Sequence, residues 1–233
     1  RNKNVLQEFS KKFHKKITVR RKLSKKILDK INHAVVANKN CDHFLFSKKL
    51  LNKKINLLVE KPLVSKFSEF EILKKISKKN KKFIHVSVPF FFSYYIFYIK
   101  KFINFPFNEL VFDWHDPYND KRYGKIKKYD RSVTYLEDTI YHIYGILNSL
   151  FGTKKISLIY SKNKQHDGLA LFYYGKNKIR LICSRNKIKK RVRMLKFISS
   201  KNNLILNYAN DDNIYFIKNK IKRRISNNFS QKT

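Results

Sequence analysis

The chain has 233 residues, with 54 Lys and Arg against 16 Asp and Glu, a formal charge of +38. That length holds one large or two small domains, and 42% hydrophobic with 15% aromatic residues excludes wholesale disorder. Two cysteines, Cys41 and Cys183, exclude a disulfide framework; no Cys/His spacing matches zinc, so no metal is expected and a reducing, cytoplasmic setting is the default.

The charge admits two readings. Clustered Lys and Arg would give a sequence-independent affinity for nucleic acid. The lysines are instead scattered along the chain. Lys, Asn, Ile, Phe and Tyr, all encoded by A- and T-rich codons, dominate, while Gly (5), Pro (4), Met (1) and Trp (1) are scarce. An AT-rich genome of the reduced bacterial type coats solvated positions with Lys without selecting a partner, so no specific nucleic acid is expected. No apolar segment follows a basic start, so no signal peptide is visible. The chain opens on Arg1 rather than Met, and a preceding segment is expected.

In chain order, Val5, Phe9 and Phe13 recur at helical spacing and residues 17–19 read as a short strand. Leu23, Ile27, Leu28 and Ile31 form a second helical stripe, and residues 33–37 (HAVVA) read as a buried strand. Asp42 is placed to cap a helix whose inner face carries Phe46 and Leu50, and residues 55–59 (INLLV) form the next strand. Strand, helix and strand in under about 30 residues make a βαβ unit with parallel strands. Glu60-Lys61-Pro62 follows directly. A third helix has Ser68 and Glu71 at capping-box spacing with Phe70, Leu73 and Ile76 inward, before a strand over 83–88.

Residues 83–99 approach the lower length limit of a membrane span, but they contain His85, Ser87, Pro89 and Ser93, so they read as a strand followed by an aromatic helix over 91–102. No membrane association is expected. A strand over 109–114, a polar loop with Asp116, Pro117 and Gly124, and a helix over 135–151 closed by Gly152 come next. Apolar runs at 156–160, 169–174, 179–184, 193–198 and 204–208, with a hairpin turn at Gly175-Lys176-Asn177, predict an antiparallel meander.

Three constellations could carry chemistry. Lys61 stands where a parallel strand ends, the edge at which ligands of open α/β sheets bind; equally, it is one of 54 basic residues. Asp138 and His142 lie four apart on one helix face, where a carboxylate can orient an imidazole for acid/base work; the same spacing also makes a plain surface ion pair. Trp114, in the run Asp113-Trp114-His115-Asp116-Pro117, is retained against a composition that disfavours Trp, as a ligand contact or as core.

Together and in order, residues 33–44, 55–73 and 135–152 resemble the glucose-fructose oxidoreductase / inositol dehydrogenase (Gfo/Idh/MocA) family, over about residues 3–217. Ala37-Asn38-Lys39 with His43 stands where the family has Ala-Thr-Pro and a following His. Glu60-Lys61-Pro62 is its Glu-Lys-Pro unchanged, and Asp138 and His142 match its later Asp-x-x-x-His. The resemblance implies an α/β fold, with an incomplete Rossmann-type domain over 1–88 and an α+β domain with an open, mainly antiparallel sheet over 89–233. It implies hydride transfer between NAD or NADP and a hydroxyl/carbonyl, or imine, carbon of a small sugar-like or secondary-metabolite substrate. Lys61, His142 and Asp138 would be catalytic; Ala37, Asn38, His43, Glu60 and Lys61 would line the cofactor cleft. Trp114, Asp116 and Arg122 would contact substrate. A homo-oligomer through the open sheet's face is implied as well.

Three features depart from the pattern. The G-x-G-x-x-G turn is absent, Asn38-Lys39 replaces Thr-Pro, and an acidic position three residues after the His is Gly145. The competing readings are therefore a basic nucleic-acid-binding protein and a non-catalytic, degenerate homologue.

Overall fold

The structure, a computed structural model, describes residues 24–92, 94–119, 121–122, 125–126, 132–186, 190–207, 213–218 and 221–224. Of these, the backbone alone is described at 92, 94, 95, 121, 122, 125, 213–218 and 221–224. The elements expected over 5–13 and 17–19 lie outside the described residues, as does Gly124.

Between residues 25 and 88 short apolar runs alternate with lysine-rich amphipathic stretches, and each run becomes a strand of one parallel sheet. The order of elements is α1 (Lys25–Leu28), β1 (His33–Val36), α2 (His43–Asn52), β2 (Asn56–Glu60), α3 (Phe67–Asn80) and β3 (Ile84–Ser87). The strands lie side by side as β1-β2-β3, with Val36 opposite Val59 and Glu60 opposite Ser87. Leu50 and Leu51 of α2 and Leu73 of α3 pack with Val36, Leu57 and Val59 in one apolar cluster.

Both helices therefore cover the same sheet face. On the opposite face Val35 is 69% exposed and Leu58 is exposed too, so β1 is not the fully buried strand its composition predicts. It alternates like any strand covered on one side.

Two helix starts differ from expectation. A 3-10 turn (Asn40–Asp42) runs straight into α2, leaving Asp42 in helical φ/ψ with no side-chain cap bond, whereas a capping residue needs extended backbone. The buried stripe is His43, Ser47, Leu50 and Leu51, with Phe46 40% exposed. Helix α3 begins at Phe67, which places Ser68 inside the first turn, and its Ser68/Glu71 capping box does not form. Leu73 is its buried residue; Phe70 is exposed.

Residues 83–102 are not a strand and one helix. They divide into β3, a 3-10 turn (Pro89–Phe92), α4 (Tyr94–Ile99) and a second 3-10 turn (Lys100–Phe102). Among the described residues no helix is long and apolar enough to cross a membrane.

The second half is one long helix on a mixed sheet of eight strands. Helix α5 (Tyr135–Phe151) opens with a capping box, in which the Glu137 N–H donates to the Thr134 hydroxyl (3.3 Å) and the Thr134 N–H donates to the Glu137 carboxylate (2.7 Å). It ends at Gly152, whose φ of 68° only glycine adopts freely.

The strands are β4 (Glu109–Pro117), β7 (Ile156–Asn163), β8 (Asp167–Tyr174), β9 (Asn177–Asn186), β10 (Val192–Ile198), β11 (Asn202–Asn207), β12 (Asn213–Lys218) and β13 (Ile221–Arg224). Two-residue strands β5 (Lys121–Arg122) and β6 (Lys125–Ile126) pair apart from it. The spatial order is β13-β12-β11-β10-β4-β9-β8-β7.

The sheet is thus no simple meander: β4 inserts between β9 and β10, parallel to the first and antiparallel to the second. Asp116 and Pro117 belong to β4, not to a loop. Ile143, Ile146, Leu147 and Leu150 of α5 pack on the inward residues Leu110, Phe112, Ala170, Phe172, Leu181, Leu195 and Phe197. The fold is α/β, a parallel Rossmann-like sheet followed by a mostly antiparallel open one.

Candidate active site

Helix α5 passes the end of the small sheet at very close range. A Cβ built on Gly145 would lie 2.5 Å from a methyl of Val88, so any side chain there forces Val88 or the helix to shift. This explains the glycine at a position where the resemblance leads one to expect a carboxylate. The approach carries Asp138 and His142 to the C-terminal edge of β2.

Glu60 closes β2 and is exposed; the Lys61–Pro62 peptide bond is cis. The Lys61 side chain is 13% exposed, and its Nζ donates to the Asp138 backbone carbonyl at 2.8 Å while also forming an ion pair with the Asp138 carboxylate. The two motifs singled out in the sequence, 77 residues apart, therefore meet directly.

His43 is wholly buried at the start of α2. Its Nδ1 donates to the Pro62 carbonyl (2.6 Å) and its Nε2 faces the Asn38 carbonyl (3.3 Å), so it ties the loop after β1 to the loop after β2. Enclosed in this way, it braces both strand ends and does not line an open cleft. Ala37 is exposed; Asn38 is half-buried, with both its side-chain N and O enclosed and without partners among the described residues.

His142 stacks on Trp114, ring centroids 5.4 Å apart and planes within 11°, and Phe90 meets it edge-on at 5.4 Å. Its Nδ1 is buried without a hydrogen-bond partner among the described residues. Burial, and next the nearby Lys61 ammonium, push its pKa from 6.5 down to about 4, so the imidazole is neutral at pH 7.

Behind Trp114 lies Arg193, its guanidinium carbon 4.0 Å from an indole ring centroid. Arg193 donates to the carbonyls of His115 (2.9 Å) and Val192 (2.8 Å) and pairs with Asp116, which also accepts from Arg191 Nε at 2.8 Å. Burial pushes the Asp116 carboxyl up, but the two guanidiniums outweigh it and hold it below the usual carboxylate value.

The geometry thus unites Lys61, Asp138, His142 and Trp114, with Asp116 behind them. Trp114, 4% exposed, and Asp116 are engaged inside the protein rather than presented to a substrate. The Arg122 backbone pairs with Lys125 in the separate two-stranded ribbon. Sequence reasoning missed Phe90, Arg191 and Arg193. For Arg193 a signal existed: in the alternation Arg193, Leu195, Phe197 it occupies an inward position, where an unpaired charge is not tolerated. Among the described residues no cluster of His, Cys, Asp and Glu is suited to hold a metal.

Sequence comparison matches residues 1–88 to an oxidoreductase family, Gfo/Idh/MocA, described as having an NAD-binding Rossmann fold. No curated protein matches the chain in sequence. Solved structures share its fold. A dehydrogenase (MviM) from Clostridium difficile superposes with a TM-score of 0.73 at 14% identity, over 98% of this chain and 73% of that one. A mutant 3-ketoreductase from Actinomadura kijaniata, in complex with TDP-benzene and NADP, gives 0.72 at 11% identity over 95% and 71%. UDP-N-acetylglucosamine 3-dehydrogenase from Acidithiobacillus ferrooxidans gives 0.66 at 11% identity over 97% and 72%. Residues 1–88 thus match the model of the Gfo/Idh/MocA oxidoreductase family with its NAD-binding Rossmann fold, and the chain as a whole shares the fold of these solved structures.

Proposed function

We propose that the chain is an NAD(P)-dependent oxidoreductase moving hydride between the nicotinamide and a hydroxyl/carbonyl, or imine, carbon of a small sugar-like molecule. The observation that carries this reading is the contact of Lys61 with Asp138, one helical turn from His142. It puts a fixed ammonium beside a neutral imidazole at a strand end.

The residues present fit the nicotinamide end of such a cofactor. Glu60 offers an exposed carboxylate after β2 that can bond ribose hydroxyls, and Asn38 stands after β1 at the same sheet end with its amide enclosed and unsatisfied among the described residues. The glycine-rich turn that binds pyrophosphate is not in this sequence, and no residue is assigned to that role. When bound, the nicotinamide supplies the hydride acceptor or donor.

The chain's own groups handle the proton. Two of the three Lys61 N–H donors are taken by Asp138, leaving the third for the reacting oxygen. His142, kept neutral, accepts the hydroxyl proton as the carbonyl forms and returns it in the reverse direction. Asp138 fixes the ammonium on both its carbonyl and its carboxylate. The names of two similar structures, a 3-ketoreductase and a UDP-N-acetylglucosamine 3-dehydrogenase, support a sugar-like substrate.

The test is NAD(P)H fluorescence on titration with protein, followed by turnover against a panel of sugars and nucleotide sugars. Lys61→Ala abolishes turnover with the circular dichroism unchanged. Undiminished turnover in that variant overturns the role given to Lys61, and absence of nucleotide binding overturns the reading as a whole.

A further inference from the structure

The stack behind His142 is unusual in its composition. Arg193 sits directly opposite Trp114 in the β10–β4 ladder, at an inward position followed by Leu195 and Phe197. Its side chain is only 10% exposed. A buried guanidinium is costly unless every part of it is bonded, and a Leu or Met would fill the same volume at no such cost. Arg193 is bonded on two carbonyls and a carboxylate, and its guanidinium carbon lies over the indole ring. Trp114 in turn presents its other partner, the His142 imidazole, at 11° from parallel, with Phe90 edge-on to both rings. Nδ1 of His142 is buried without a hydrogen-bond partner among the described residues, so no bond at that nitrogen sets its ring plane.

We propose that Trp114 and Arg193 are positioning residues, a stack of guanidinium, indole and imidazole that fixes the ring plane of His142 beside the Lys61–Asp138 pair. The proposal rests on the oxidoreductase reading for its purpose only. Its physical content concerns three side chains from β10, β4 and α5, and it is measurable with no cofactor present. A fixed imidazole presents one lone pair to one place, the condition for proton transfer within hydrogen-bond reach. The guanidinium adds its charge to that of Lys61 in keeping the ring neutral.

The experiment is NMR on the full, isotopically labelled chain and the variants Trp114→Leu, Trp114→Phe, Arg193→Gln and Arg193→Lys. At pH 7 the wild-type His142 ring protons are shifted upfield by the indole ring current. Trp114→Leu abolishes that shift and Trp114→Phe keeps part of it. Arg193→Gln weakens it and raises the His142 protonation midpoint by roughly half a unit. Arg193→Lys keeps the midpoint, because the charge remains, but weakens the ring-current shift, because the plane is lost. A folded Arg193→Gln protein with unchanged His142 shifts and midpoint overturns the proposal. If that variant does not fold, Trp114→Phe with His142 shifts equal to those of Trp114→Leu overturns it instead. A positive NMR result without nucleotide binding leaves the stack standing and removes the oxidoreductase reading; the reverse result does the opposite.

Discussion

Replacing His142 by Gln changes how stability depends on pH, by an amount set by the site. In the native state the imidazole is neutral down to about pH 4, because burial and Lys61 oppose its charge, whereas in the unfolded chain it protonates near 6.5. Between those values the unfolded state binds the additional proton, so stability falls as pH falls. From this group alone the native state loses about 2 kcal/mol by pH 5 and about 3 kcal/mol by pH 4, relative to pH 7. Burial lowers the His115 pKa as well, and that contribution is common to wild type and variant. Urea unfolding at pH 7, 6, 5 and 4, followed by far-ultraviolet circular dichroism, isolates the His142 contribution as the difference in slope. The wild type should steepen below pH 6.5 and His142→Gln should be flatter by the stated amounts. Parallel curves for the two proteins would show that the imidazole is as free to protonate in the native site as in water, and would refute the neutral base.

Gly145→Ala should destabilise the protein by about 1–3 kcal/mol, because its Cβ meets a Val88 methyl at 2.5 Å, and Val88→Ala should recover much of the loss in the double variant. Equal stability of Gly145→Ala and wild type in thermal unfolding would contradict that packing. Thr134→Ala removes the cap of α5 and should cost about 1 kcal/mol by the same assay. Cys41 is exposed, while burial pushes the buried Cys183 thiol up to about 12, so a disulfide reagent at pH 8 should titrate one thiol per native chain and two in denaturant. Two fast thiols in the native protein would place Cys183 wrongly.

Local pattern carried most of the first half and one long helix of the second. Helix α5 is legible at residues 135–151 because its three-four spacing is unbroken and Gly152 ends it. The three parallel strands are legible from continuous apolar runs. The burial of β1 was overstated because composition does not reveal how many faces a sheet has covered, as Val35 shows. The stripe of α2 is displaced because the preceding 3-10 turn rotates the helix entry, turning Ser47 inward and Phe46 out. Lys61 and Asp138 were legible as separate motifs, while the bond between them depends on a close crossing that Gly145 permits and no local pattern encodes. Arg193 is one of 54 Lys and Arg residues, and only the alternation of its strand marks it as inward.

The place of β4 has a consequence for the order in which this protein assembles. Both of its ladder partners, β9 and β10, lie more than sixty positions further along the chain. A strand bearing Leu110, Phe112 and Trp114 thus has no ladder partner on the ribosome until β9 has emerged, and lacks its second neighbour until residue 198 has followed. The described strands of the small parallel sheet, the last of them ending at Ser87, have no such wait. Contacts so distant in sequence form slowly, and the exposed strand edge is a hazard while they are missing. Trp114 and Arg193, one residue pair of that late ladder, come together only at its closure. The late closure of this ladder is therefore also the step that completes the setting of the imidazole.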